Sequence, residues 1–280
     1  MCQIAADARS SLISLDGTDI HYLDVGDGPP LLLVHGLGHS IVSWHRNIDA
    51  LSAHRRVLAL DLPGHGLSGC PREAAYDPPY FAGIVQRFIQ ELELAQVDAV
   101  GCSAGGLSIL LAALASPNSF RRLVLVDSAG FTTFPSDPVG RVMLQALLWW
   151  RSLPRPRQLI RAAYAAGFFD RSIADEETIA DLYGRRHHDA SRVAARKMIA
   201  AFFTYSQRLA TLHERLRTLE IPVLVVWGAN DRMFPVRDTQ IARRVLQRPR
   251  IEWLQRCGHC PQLERPRDFN ALVLEFLNAS

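Results

Sequence analysis

The sequence predicts an α/β fold: an eight-stranded, mostly parallel sheet with helices on both faces, interrupted once by a helical insertion. Three observations predict it. Short apolar runs alternate with helix-periodic stretches along most of the 280 residues. Several of those runs are apolar at every position, as strands are when helices cover both faces of a parallel sheet. Residues 128–221 break the rhythm, with helical patterns and no convincing strand.

In chain order, residues 12–15 and 20–25 flank the turn Asp16-Gly17 and read as an antiparallel hairpin. Residues 31–34 follow Pro29-Pro30 and end at His35-Gly36. Residues 57–60 end at Asp61-Leu62-Pro63-Gly64, and 97–100, 123–126, 223–226 and 251–254 complete the strands. Between them, residues 81–94 set Ile84, Val85, Phe88, Ile89 and Leu92 on one helical face. Residues 104–115 are so uniformly apolar that they predict a buried helix, and 268–277 form a final amphipathic one. Inside the insertion, residues 139–151, 157–166, 176–183 and 191–205 read as helices. The expected organisation is a core of residues 1–130 and 217–280 carrying a cap at 131–216.

Bulk composition bounds the function. At 48% hydrophobic and 21% charged the chain is globular, and a net charge of +3 gives no reason to expect a nucleic-acid partner. Lys197 is the only lysine, and the arginines are scattered. Residues 1–11 lack a secretory pattern, and no run approaches the ~20 apolar residues that span a bilayer. The five cysteines, Cys2, Cys70, Cys102, Cys257 and Cys260, are too sparse for a disulfide framework and fit a reducing compartment. Cytoplasm is the expected location.

The sharpest motif is Gly101-Cys102-Ser103-Ala104-Gly105, set between a strand and an apolar helix. A tight strand-to-helix turn strains the central serine and projects its hydroxyl beside a helix N-terminus. Gly101 and Gly105 are needed because side chains there would meet neighbouring backbone. A serine that attacks a carbonyl also needs donors for the developing oxyanion, each worth roughly 3 kcal/mol of barrier. The Ala104 N–H is one candidate and the Leu37 N–H, in His35-Gly36-Leu37-Gly38, is the other. His35, His39 and His65 read as structural hydrogen-bonders. Histidine suits the general base, because its pKa lies near ambient pH. His259 follows the last strand and Asp231 follows the one before, both at the strand ends that share an edge with the serine turn. Asp127, after the preceding strand, is the rival acid. Cys257-Gly258-His259-Cys260 spells a dithiol redox motif, but only 20 residues follow it, too few for the fold that uses one, and two cysteines with one histidine do not make a structural zinc site.

With these residues assembled, the chain resembles the α/β-hydrolase superfamily. Matching features are His35-Gly36-Leu37-Gly38 with Trp44 downstream, Asp61-Leu62-Pro63-Gly64-His65-Gly66-Leu67-Ser68 and the serine turn. To these belong Trp227-Gly228-Ala229-Asn230-Asp231-Arg232 and Gly258-His259-Cys260-Pro261-Gln262-Leu263-Glu264-Arg265-Pro266. The resemblance implies the α/β-hydrolase fold and a Ser103–Asp231–His259 triad in the chain order that fold uses. Within the superfamily the chain is similar to carboxylesterases and to hydrolases that split carbon–carbon bonds of ring-cleavage products. The latter commonly carry Asn before the nucleophile and Trp after the histidine, where this chain has Cys102 and Cys260. Epoxide hydrolases and haloalkane dehalogenases use an Asp nucleophile, unlike Ser103.

The first expectation is therefore a carboxylic ester hydrolase working through an acyl-enzyme, with no metal and no cofactor. A carbon–carbon hydrolase or lactonase with the same triad is the alternative, and a non-catalytic small-molecule receptor the remote one. The expected partner is a small apolar acyl compound. Phe168, Phe169, Phe202, Phe203 and Trp149-Trp150 either line its pocket or pack the cap.

Overall fold

The hairpin that opens the sheet follows from its turn. Asp16 and Gly17 have φ of 48° and 77°, the double positive φ that matches strand twist in a two-residue hairpin. In the computed structural model, which describes residues 9–133, 156–174, 176, 178–180 and 189–279, that turn joins β1 (Ser10–Leu15) to β2 (Thr18–Val25), with Leu15 opposite Thr18. The other strands are β3 (Pro30–Val34), β4 (Arg56–Leu60), β5 (Val97–Cys102), β6 (Phe120–Val126), β7 (Val223–Gly228) and β8 (Arg250–Leu254). They form one eight-stranded sheet in the order β1-β2-β4-β3-β5-β6-β7-β8. β2 pairs antiparallel with both neighbours, and all other pairings are parallel.

Side-chain alternation explains why the central strands carry no polar face. Leu32 and Val34 of β3 join one core cluster, while Leu31 and Leu33 join the other. β4, β6 and β7 divide the same way, with Leu125 and Val225 on the first side and Val126 and Val226 on the second. The first side is covered by α2 (Pro78–Glu91), α3 (Ala104–Ala115) and α7 (Thr239–Val245), and the second by α1 (Ile48–Ser52) and α9 (Pro266–Asn278). Here α4 is Arg157–Ala165, α5 Asp189–Tyr205, α6 Leu209–Leu216 and α8 Pro261–Glu264, numbered among the described residues.

α3 matches its expected span, but α2 begins three residues earlier than residues 81–94 suggest. Asp77 accepts the Tyr80 N–H at 2.8 Å and Pro78 opens the first turn, a capping pair that sets the start before the apolar stripe. The other end stops at Glu91, because Glu93 takes a φ of 52°.

The insertion between β6 and β7 is helical where it is described. α4 and α5 match the expected residues 157–166 and 191–205 to within two residues. Glu176 and residues 178–180 are helical, and the expected helix at 139–151 lies outside the described residues. α5 sits on the core through Ala194 and Met198, and Gly64 makes room for it: a Cβ there would lie 2.7 Å from Met198 Cε. Lys197 strengthens the join by donating to the carbonyls of Arg72 (2.5 Å) and Ala74 (3.3 Å). Among the described residues no helix is long and apolar enough to cross a membrane.

Gly83 lies inside α2 with nothing within 4 Å of an added Cβ and no positive φ. Gly83→Ala therefore raises stability by about 0.5–1 kcal/mol, read as a higher urea midpoint at unchanged slope.

Candidate active site

The strand order reverses direction between β3 and β5, where a parallel sheet leaves a crevice at its C-terminal edge. Ser103 stands at that edge with φ 54° and ψ −116°, a conformation that costs a non-glycine residue strain. Its N–H still donates to Val126 O at 2.9 Å, so the strand ladder holds the residue up to the turn itself. The turn closes only without side chains. A Cβ on Gly101 would come within 2.6 Å of Gly105 backbone, and one on Gly105 within 2.3 Å of Val34 O. Ser108, the next serine, is fully buried and donates to Ala104 O at 2.8 Å, so its proton is committed within α3.

The loop after β3 abuts this turn: a Cβ on Gly36 would lie 3.1 Å from Ser103 Cβ. His39 N–H closes the turn on Gly36 O at 3.2 Å, and Gly38 N–H donates to His65 Nε2 at 3.1 Å. Leu37 N–H, second in a turn closed from first to fourth residue, is not used by the turn. Ala104 is the first residue of α3, where an N–H has no intrahelical acceptor. His35 accepts the Leu62 N–H at 3.0 Å and sits 2.8 Å from Gly36 O, fully buried. His35 and His65 thus hold the loop's backbone, the structural role expected of them. The His39 ring lies 5.4 Å from that of Tyr164.

On the other side, the loops after β7 and β8 zip together. Ala229 N–H donates to Leu254 O (3.0 Å) and Asn230 N–H to Cys257 O (2.8 Å). Gly228 permits the contact, since a Cβ there would lie 1.8 Å from Gly258 O. The zipper sets His259 Nδ1 at 2.7 Å from Asp231 Oδ2. Asp231 Oδ1 accepts the N–H groups of Met233 (2.7 Å) and Phe234 (3.1 Å), which fixes its carboxylate. A carboxylate facing Nδ1 selects the tautomer with Nε2 free to accept a proton. Asp127 brings a third ligand-type atom within 4.8 Å of those two, but the short Asp231–His259 contact shares a proton and leaves Nδ1 no lone pair for a cation. Gln262 Nε2 reaches Cys102 Sγ at 3.5 Å, tying the histidine loop to the residue before Ser103.

The model of the alpha/beta hydrolase family matches residues 31–272. The chain belongs to that family. It is 30% identical to 2-hydroxy-6-oxo-2,4-heptadienoate hydrolase of Pseudomonas putida, over 96% of each protein. The solved meta-cleavage product hydrolase of Pseudomonas fluorescens superposes with TM-score 0.79 at 25% identity, covering 96% of this chain and 97% of the other. An esterase from Rhodococcus superposes with TM-score 0.77 at 26% identity, covering 97% and 99%. As an alpha/beta hydrolase with relatives of this kind, the chain is a serine-hydrolase-type enzyme.

Within this alpha/beta hydrolase, Glu264 carries a role that sequence reasoning missed. Its Oε1 accepts the N–H groups of Gly258 (2.8 Å) and Cys260 (3.4 Å), either side of His259, and its Oε2 accepts Phe169 N–H at 2.8 Å. Gly167 O in turn accepts the His259 N–H at 2.9 Å. The insertion thereby grips the histidine loop directly. The letters placed Glu264 in a matching motif, but nothing in them shows that its partners are backbone groups. Burial raises the Glu264 pKa, and the backbone donors from Gly258, Phe169 and Cys260 pull it back down.

Burial also pushes the thiols of Cys102, Cys257 and Cys260 up. All three are free and buried, so they pack as small neutral groups and no thiolate chemistry arises at Cys257-Gly258-His259-Cys260. Of the aromatic candidates, Phe168 is buried edge-on to Tyr164 at 4.7 Å and packs with Cys260 and Leu263. Phe169 is exposed under the Arg256 guanidinium at 5.9 Å, and Phe202 lies 6.3 Å from Phe81. Trp149 and Trp150 lie outside the described residues.

Gly105→Ala forces the elbow open and costs about 3 kcal/mol or more in urea unfolding, if the variant folds at all. Glu264→Gln turns an amide NH₂ toward one set of backbone donors. It lowers unfolding free energy by about 1.5–3 kcal/mol, and a variant as stable as the wild type would refute the clamp.

Proposed function

We propose that this alpha/beta hydrolase cleaves a carbon–carbon bond beside the ketone of a vinylogous diketone, the kind of compound formed when an aromatic ring is opened. Ser103 is the nucleophile, His259 the general base and Asp231 the acid that orients it. The observation that carries the choice of bond is the end-to-end similarity to 2-hydroxy-6-oxo-2,4-heptadienoate hydrolase, which spans 96% of each chain. This reverses the order of the two readings that the letters alone suggest.

His259 Nε2 takes the Ser103 proton as Oγ attacks the ketone carbon. The new oxyanion rests on the N–H groups of Leu37 and Ala104. The substrate reacts as its diketo tautomer, in which the carbon beside the ketone is a CH₂; collapse breaks the carbon–carbon bond, and that carbon leaves as a carbanion delocalised through the adjoining enone. It takes the proton held by His259. Water then attacks the acyl-enzyme by the reverse route, so one water is consumed and a carboxylic acid is released. Conjugation is the requirement that selects the substrate, because an unstabilised carbanion is too basic to leave. The small organic substrate would be enclosed by the insertion, taken as residues 131–216 on a core of 1–130 and 217–280.

Ester hydrolysis is the second reading, with an alkoxide as leaving group and the same proton path. Two observations favour it: the likeness to the Rhodococcus esterase, and Cys102 and Cys260 standing where ring-cleavage hydrolases commonly carry Asn and Trp.

A substrate panel separates the two. kcat/KM for a 2-hydroxy-6-oxo-dienoate is expected to exceed that for every p-nitrophenyl ester in a chain-length series by about tenfold or more. An ester outpacing every diketone would establish the second reading instead. Ser103→Ala lowers kcat by about 10⁴-fold or more on the preferred substrate, and retained turnover would remove Ser103 from the mechanism.

A further inference from the structure

Beside Asp231 lies a second buried carboxyl group that the reaction above does not use. Asp127 follows β6, is 0% exposed and has a φ of 40°. Its Oδ1 accepts the Gly228 N–H at 2.9 Å, whereas its Oδ2 is buried without a hydrogen-bond partner. Polar atoms of Asp127, Asp231 and His259 all lie within 4.8 Å of one another.

Two carboxylates this close, away from water, cannot both ionise cheaply. Three donors hold the charge on Asp231: the His259 ring and the N–H groups of Met233 and Phe234. Asp127 has one, from Gly228. The proton shared by the pair therefore sits on Asp127. A buried acceptor oxygen facing an anion is unfavourable, but the same oxygen carrying a proton becomes a donor, and the Asp231 carboxylate lies within 4.8 Å of that of Asp127.

We propose that Asp127 is a neutral carboxylic acid whose Oδ2–H donates to the Asp231 carboxylate, making it a positioning residue for the orienting acid of the triad. The inference rests on the Ser103–His259–Asp231 reading. It also turns the rival acid of the sequence into an accessory of the true one. Burial first, and the Asp231 charge second, push the Asp127 carboxyl well above the usual carboxylate range. The other titratable groups around it do not offset this. Cys102 from β5 and Cys257 and Cys260 from the loop after β8 are neutral thiols, and Glu264 of α8 is acidic. Of these neighbours only His259 can bring positive charge, and its Nδ1 is directed at Asp231.

Paired variants test the role. An Asn at this position keeps an oxygen for the Gly228 N–H and offers an NH₂ to Asp231, while Ala offers neither. Asp127→Ala is expected to lower kcat, and the rate of Ser103 labelling by a fluorophosphonate, about 10- to 100-fold with KM little changed. Asp127→Asn rescues both to within about fivefold of the wild type. Infrared difference spectra, wild type minus Asp127→Asn, should show the C=O stretch of a protonated carboxylic acid. The proposal is overturned if Asn falls as far as Ala, if Ala matches the wild type, or if that band is missing. Should Ala fail to fold, the Asn variant and the infrared band still decide. A wild-type enzyme that never labels at Ser103 would sink the triad reading instead, and the band would still report the protonation of Asp127.

Discussion

Between β5 and α3 the main chain turns back on itself with no room for a methyl group at either flanking glycine. Everything functional in this enzyme is registered to that close backbone approach. It forces Ser103 into a positive φ while leaving its N–H on the strand ladder. It also lets the carbonyls of Val34 and His35 press against Gly105, so the loop after β3 is held next to the serine. A slightly wider turn would separate Ser103 from the backbone of the loop after β3. Strain is tolerable here because the strands on either side are buried on both faces and cannot relax to relieve it.

The opposite wall is built by a different device. The loop after β7 donates two backbone hydrogen bonds to Leu254 O and Cys257 O in the manner of an extra sheet rung, and this carries Asp231 and His259, 28 residues apart in the chain, into contact at 2.7 Å. The groups that hold the histidine loop are tied several times over: both Asp231 oxygens are engaged, and Glu264 serves N–H groups of Gly258, Cys260 and Phe169. Such saturation makes the geometry stiff, since moving any one member leaves a buried group unsatisfied. The small neutral thiols of Cys102 and Cys260 fill the space between this wall and the elbow without adding charge.

How much of this the amino-acid letters reveal depends on what each element is made from. The central strands are legible because double-sided burial writes itself as unbroken apolar runs, whereas β1 and β2, partly exposed, are marked by the Asp16-Gly17 turn between them. The start of α2 is less so, since its signal is the pair Asp77-Pro78 rather than the periodicity that begins at Phe81. Helices as short as Ile48–Ser52 complete too few turns for any period to show. In the site, Ser103, Asp231 and His259 are marked by motifs at strand ends. Asp127 follows a strand in the same manner, and only distances separate its role from that of Asp231. Gly167 is invisible in principle, because it contributes a carbonyl that any residue would supply. The preferred bond is equally silent: ester and carbon–carbon cleavage share their first step and differ only in the leaving group.

The grip of residues 167–169 on the histidine loop joins segments 95 residues apart in the chain. Gly167 O holds the His259 N–H, and Glu264 Oε2 holds the Phe169 N–H. Neither segment can shift without stripping polar groups of the other of their partners, so a substitution that disturbs one is felt in the main chain of the other.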